Sequence, residues 1–431
     1  MNFSRLITVI TSWLLISPVI SAQEAQILNI ETCYERSIQA YPVYKNKSLI
    51  TEEGELRAQN HKSAYLPSMY FQAEAKYLSE VINLNSVLPI PGFDIPSPPN
   101  EQFNFTINLN QLIYDGGMIK KSIELERNKS QMDEQSLIVD LYQIRERVNT
   151  IYFSILFLQQ NDSLFKLSLQ ELDERLQFAE SAVKNGILLQ SDLDNMMAEM
   201  IGLEQKTLEN SYNISQGIKV LEILIDSTLK IDVKLERPYI LLDIEAPVSR
   251  PELVLFQFQE NNLDLNKQLI STTRMPMISG FGQLGYGQPG LNPVNDSFDT
   301  YYIVGLRLTW NIWDWNKTGR EKEILQLNQQ KIIHQRETFE HNLKLELQKE
   351  KEEILKFEEL ILKDNELIHL RKNILNTSSS KLDNGVIQSA DYVRDFNRYL
   401  TAMVKLNIHE LMLLKSKFNY LTAQGNTMGD Q

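Results

Sequence analysis

Apolar residues recur along this chain with two different periods. Leu141, Ile144, Val148, Ile151, Ile155 and Leu158 follow a 3-4-3-4-3 spacing. It resumes at Phe165, Leu169, Leu172, Leu176, Ala179 and Val183, with Asp162 the polar residue on the seam. Ile354, Ile361, Ile368, Leu375 and Leu382 repeat every seven residues. Such spacing lays a narrow apolar stripe along an α-helix and predicts coiled-coil contact with partner helices. Elsewhere the period drops to two. Phe103, Phe105, Ile107 and Leu109 alternate with Asn104, Thr106, Asn108 and Asn110. Tyr302, Val304, Leu306, Leu308, Trp310 and Ile312 alternate with Gly305, Arg307, Thr309 and Asn311, and Met69, Phe71, Ala73, Ala75 and Tyr77 with Tyr70, Gln72, Glu74 and Lys76. The segment from Met277 to Tyr286 is glycine-rich and ambiguous. Apolar-out, polar-in alternation is the dyad of a transmembrane β-strand, although a soluble hairpin with one buried face shares it.

Both patterns occur twice. Pro42 and Pro67 match Pro251 and Pro276 at an offset of 209. Tyr114, Asp115, Asn185, Gly186 and Asp192 match Trp313, Asp314, Asn384, Gly385 and Asp391 at an offset of 199. Shared offsets imply one duplication with a single length difference, which the proline-rich loop 88–99 accommodates. The expected organisation is a signal peptide at 1–22, a first repeat at 23–226, a linker at 227–246, a second repeat at 247–422 and a tail at 423–431. Each repeat holds a β-hairpin (about 67–114 and 276–313) and a helix–helix turn (185–190 and 384–389).

Composition sharpens this. No proline lies within 100–237 or after 293, so each long arm lacks a helix breaker. A helix from about 118 to 184 would run ~100 Å. A net charge of −13 argues against nucleic acid as a partner. The single cysteine, Cys33, excludes a disulfide framework. His61, His334, His341, His369 and His409 share no short metal-ligand spacing, and no nucleotide-binding loop, nucleophile elbow or zinc-protease motif occurs. The expectation is no enzyme, no metal and no cofactor. At the start, Arg5, the apolar run Leu6 to Ile16, Pro18 and a cut after Ala22 read as a secretory signal. The run is short of the ~20 residues of a membrane anchor.

Four strands cannot stand alone in lipid, because an open sheet leaves two rows of unpaired backbone groups in hydrocarbon. The barrel must close with further copies of the chain. Two copies would give a barrel filled by its own side chains, whereas three would leave an open lumen, so a homotrimer is expected.

In this order, and twice over, the motifs resemble the TolC family of outer-membrane efflux channels across nearly all of the expected mature chain. The residues that carry the resemblance are Tyr41 and Pro42 with Arg250 to Leu253 at the helix openings, and Leu112 to Gly117 with Trp310 to Trp315 at the strand-to-helix junctions. The turns Asn185 to Leu193 and Asn384 to Tyr392 complete them. The resemblance implies a mainly α fold with β: a long antiparallel α-helical coiled-coil barrel, four transmembrane β-strands per chain and a twelve-stranded β-barrel in the trimer. It implies a cell outer membrane location with a long periplasmic extension, and contact with a periplasmic adaptor (membrane fusion) protein and an inner-membrane transporter of RND or ABC type. The implied role is a passive exit duct for small molecules such as drugs, toxic compounds or metals. Type I protein secretion uses the same kind of pore and stays open as an alternative, as does a coiled-coil surface adhesin or structural rod.

Candidate site residues follow. Phe103, Phe105, Ile107, Leu109, Leu306, Leu308 and Trp310 would face outer membrane lipid. At the turns, Asn185 with Gly186 and Asn384 with Gly385 tolerate positive φ, and Ser191 and Ser389 can cap the next helix. The resemblance places these six residues at adaptor-docking tips and makes Asp192, Asp391 and Arg394 a periplasmic gate. Asp391 matches an acidic position lining the closed entrance. Arg394 stands where relatives can carry a second acid, which suggests an Asp391–Arg394 pair within or between subunits.

Overall fold

The computed structural model describes residues 27–82, 91–92, 97–230, 232–293 and 297–426. The expected signal peptide, much of the loop 88–99 and the end of the tail lie outside them. The chain opens with a short strand β1 (Ile27–Leu28), helix α1 (Ile30–Ala40), a 3-10 turn (Pro42–Lys45) and helix α2 (Asn46–Ser63). Strands β2 (Ser68–Tyr77) and β3 (Glu101–Tyr114) follow, then helices α3 (Met118–Tyr142), α4 (Ile144–Lys184) and α5 (Gln190–Ile225). After β4 (Lys234–Leu235) the order helix, two strands, long helix, helix returns. These are α6 (Pro251–Thr272), β5 (Met277–Gln288), β6 (Asp299–Thr309), α7 (Lys317–Asp383) and α8 (Ser389–Gln424). The fold is mainly helical, with one four-stranded antiparallel sheet in the order β2-β3-β5-β6.

Register explains how alternation becomes a surface. Phe71 pairs with Ile107, Ile107 with Leu284 and Leu284 with Tyr302, so one apolar row crosses all four strands. One residue away, Tyr70, Asn108, Gln283 and Ile303 form a row on the other face. There the polar groups satisfy one another: Gln283 Nε2 donates to Asn108 Oδ1 at 3.0 Å and Tyr301 Oη to Asn104 Oδ1 at 2.8 Å. Gly285, one of the glycines that make β5 ambiguous in the sequence, and Gly305 in β6 have a steric reason. A Cβ on Gly285 would lie 2.2 Å from the Tyr301 ring, and one on Gly305 2.6 Å from the Phe281 ring. Neighbouring rings cover these positions and supply the apolar contact that the strand's own side chains lack. Among the described residues, β2 and β6 each keep one edge without a strand partner.

The first long arm departs from expectation. Helix is interrupted at Gln143, between α3 and α4, although no proline is near, whereas α7 runs 67 residues unbroken. The break coincides with side-chain anchoring from other elements. Tyr142 Oη donates to Thr422 O at 2.7 Å, Asn149 Nδ2 to Thr422 Oγ1 at 3.2 Å, and Arg145 lies over the Tyr34 and Tyr142 rings. Here α1 and the end of α8 meet the arm, so tertiary contacts rather than a local breaker mark the site.

Two apolar cores hold the helices together. The first gathers Ile30, Cys33, Val148, Tyr152, Phe153, Leu221, Val233 and Phe418. Burial pushes the Cys33 thiol up to about 12, as expected of an inert core cysteine. The linker is stitched to this core: β1 and β4 pair in parallel, and Tyr152 shares its hydroxyl proton between Leu28 O at 2.9 Å and Glu236 O at 2.6 Å. Tyr152→Phe should therefore cost about 1 kcal/mol in chemical denaturation and speed amide exchange around Leu235 and Glu236; unchanged exchange there would show that the pair holds without the hydroxyl. The second core, at the far ends of α4, α5, α7 and α8, contains Leu172, Ala179, Met196, Leu375, Leu382, Tyr392 and Phe396.

Candidate functional sites at the tip turns and the strand face

At both helix–helix turns the chain leaves the helix through a glycine at positive φ. Gly186 has φ 73° and Gly385 φ 68°. Ile187 N donates to Ala182 O at 2.8 Å and Val386 N to Lys381 O at 2.8 Å, the long bond of a Schellman C-cap. Asn185 Nδ2 and Asn384 Nδ2 then reach back to Ser181 O and Ser380 O, at 2.8 and 2.7 Å. Asn185 and Asn384 thus act as caps of the helices that end, with their turns exposed.

The serines do not cap the helices that begin. Leu189 is the N-cap of α5 and Gln388 of α8. Ser191 lies exposed inside the first turn. Ser389 is the first residue of α8, fully buried, and its hydroxyl is directed across the molecule. Its partner is Asp192. Asp192 Oδ1 accepts from Ser389 N at 3.1 Å and Ser389 Oγ at 2.8 Å, while Oδ2 accepts from Leu189 N at 3.2 Å. One carboxylate therefore caps its own helix and clamps the opposite turn. Asp192 is 7% exposed and points between the turns rather than outward. Burial pushes its carboxyl up, but the hydrogen bonds from Ser389 and Leu189 outweigh burial and hold it below the usual carboxylate range.

Asp391 and Arg394 do pair, within one chain: Arg394 Nη1 lies 2.8 Å from Asp391 Oδ1, one helical turn away, with both side chains substantially exposed. Two features of the tip had no sequence signal. Arg175 Nη1 binds Asp383 Oδ1 at 3.0 Å and joins α4 to α7 across 208 residues of chain. Ser378 Oγ donates to Asp395 Oδ2 at 2.6 Å. A third has a signal in the sequence, apolar residues beside or shortly after each Asn-Gly pair: Ile187, Leu189 and Val386 stand exposed on the turns.

At the other end, the proposed lipid-facing residues share one face of the sheet. Phe105, Ile107, Leu109, Leu306 and Leu308 are exposed, while Phe103 is half-buried by stacking on Phe298 at 6.2 Å. Trp310 lies one residue beyond β6 and donates its indole Nε1 to Arg274 O at 3.0 Å. Trp313 and Trp315 meet edge to face at 5.8 Å, both largely exposed. On the opposite face Thr106 is buried among the amides.

No protein-family model and no curated protein sequence matches the chain. Solved structures do. CusC, described in the context of transmembrane channel formation, has a TM-score of 0.69 at 12% identity, covering 92% of each chain. VceC, an outer membrane protein of Vibrio cholerae, has a TM-score of 0.68 at 13% identity, covering 93% of this chain and 96% of its own. The outer membrane channel MtrE of Neisseria gonorrhoeae, solved in an open state, has a TM-score of 0.67 at 13% identity, covering 92% and 89%. Over more than nine-tenths of its length, this chain has the fold of the TolC-type outer membrane channels.

Proposed function

We propose that three copies of this chain form an outer membrane channel whose helices extend as a hollow shaft into the periplasm. The observation that carries this reading is the sheet: one continuous apolar face, an amide-rich opposite face and, among the described residues, an unpaired edge on each side. In lipid those edges demand closure, and copies of the same chain supply the missing strands. The shaft supports the same closure. Met197, Ile201, Leu208 and Tyr212 leave an exposed apolar stripe along α5 that suits the helices of a neighbouring copy. The duct is passive, and its energy comes from an inner-membrane transporter of RND or ABC type through a periplasmic adaptor that docks at the tips. Ile187, Leu189 and Val386 offer that adaptor apolar knobs beside Asn185, Gly186, Asn384 and Gly385. Small molecules are its cargo.

Purified protein should run as a heat-labile trimer on gels and conduct ions in planar bilayers. A soluble, monomeric, non-conducting protein would refute the channel. The gate has its own test. Asp391 and Arg394 neutralise each other on each chain, and threefold symmetry would set three such pairs around the entrance. Replacing both with Ala should raise single-channel conductance; unchanged conductance would remove them from the gate.

A further inference from the structure

Resting on the outer membrane reading, we propose that the base of the sheet carries a cationic collar that binds the headgroups of anionic phospholipids in the adjoining leaflet. The four junctions between strands and helices meet at one level. Gly116 lies so close to the link between α6 and β5 that a Cβ would come 2.3 Å from Met275 Cβ. Trp310 is bonded to Arg274 O, and Gln111 Nε2 donates to Tyr65 O at 2.9 Å. The belt is therefore made of segments 61–68, 112–122, 272–277 and 309–322.

Charge in this belt runs against the rest of the molecule. It contains seven lysines and arginines and three carboxylates, in a chain of net charge −13. Two of the carboxylates are turned toward backbone. Asp115 accepts from Gly117 N at 2.9 Å and Ile119 N at 2.6 Å, and Asp314 accepts from Thr318 N at 3.0 Å. The hydrogen bonds from Thr318, helped by the nearby charge of Arg274, hold the Asp314 carboxyl below its usual range. By contrast Lys62, Lys120, Arg274, Arg320 and Lys322 make no ion pair among the described residues. Arg320 instead donates to the backbone Trp315 O at 2.9 Å, which ties its guanidinium to the turn that carries the exposed Trp313 and Trp315.

Interfacial aromatics place this level at the membrane–water boundary, where tryptophans sit at headgroup depth. Cations held there meet phosphate at close range, and each adds to the attraction of an anionic surface. Each helix also moves its residues only ~1.5 Å per position from the strand end. Lys120 and Arg320 therefore stay within a Debye length of the headgroups.

The test uses the full-length, detergent-purified trimer incubated with equal amounts of phosphatidylcholine and phosphatidylglycerol. Retained lipid is counted by native mass spectrometry. Wild type should retain phosphatidylglycerol about fivefold over phosphatidylcholine, and the preference should collapse in about 0.5 M salt. The combined variant Lys120→Gln, Arg274→Gln, Arg320→Gln, Lys322→Gln should lose the preference while still conducting in pure phosphatidylcholine bilayers. Should that variant misfold, the wild-type ratio and its salt dependence decide by themselves. A wild-type channel that conducts and shows no preference overturns the collar alone. A wild-type protein that neither forms trimers nor conducts overturns the channel and the collar together.

Discussion

Ile107→Arg should remove the protein from the outer membrane fraction and abolish the heat-labile trimer. Ile107 sits at the middle of β3, between Phe71 and Leu284, on the apolar row that crosses the sheet. It is 44% exposed in the single chain, and lipid is the surrounding that makes such exposure stable. An arginine at the midplane of a membrane strand costs about 2–4 kcal/mol. Three copies in a closed barrel would incur about 6–12 kcal/mol, comparable with the whole stability of an ordinary domain. The neighbouring substitution gives the contrast. Asn108 faces the other way, into the amide row with Gln283, where polar groups are already hydrogen-bonded. Asn108→Arg should assemble and shift ion preference toward anions. If both variants assemble equally well, the apolar face does not meet lipid.

Asp192→Ala should be the most damaging change at the tips, costing about 3 kcal/mol. It removes the acceptor for Ser389 N, Ser389 Oγ and Leu189 N at once, and Ser389 has no access to water in compensation. Both turns should loosen together, seen as faster proteolysis at Asn185–Leu189 and at Asn384–Gln388, with a higher conductance. Asp192→Asn retains one acceptor oxygen and should fall between wild type and Ala. The pH dependence has a definite sign. The folded carboxyl is held below its unfolded value of about 3.9, so its contribution is complete above that pH. The contribution is lost as pH falls through the lower folded value. Tip protection in wild type should thus persist at neutral pH and fade in strong acid, and Asp192→Ala should show no such transition. Proteolysis confined to the Asn185 turn would show that Asp192 caps its own helix and nothing more.

Much of the architecture was legible because it is written in periodicity. Spacings of three and four over Leu141 to Leu158, and of seven over Ile354 to Leu382, are local consequences of helix geometry. The alternation at Phe103 to Asn110 is a local consequence of the β pleat. The positive-φ glycines at 186 and 385 were equally readable, since few other residues tolerate that backbone at a helix end. The break at Gln143 was not readable, because nothing at that position differs from the helix around it. It is marked where Tyr142 and Arg145 meet Thr422 and Tyr34, two residues that lie far off in sequence. The capping role of the serines was misread for a related reason. A serine near a helix start is a fair local cap, but here Asp192 reaches the Leu189 amide, and Ser389 bonds across the tip instead.

By itself, then, the sequence determined most of the elements, their order, the faces of the alternating strands and the exposed turns, but neither the break at Gln143 nor the glycine-rich β5, because what it determined depends on neighbours within a few residues. Only the tertiary structure decided that Asp192 joins the two turns, that Arg175 reaches Asp383, and that Gly285 in β5 is covered by the Tyr301 ring from β6. Those outcomes depend on which distant backbones come within hydrogen-bond or van der Waals range. No local spacing encodes that distance, since it is set by the two cores that bring the helices side by side.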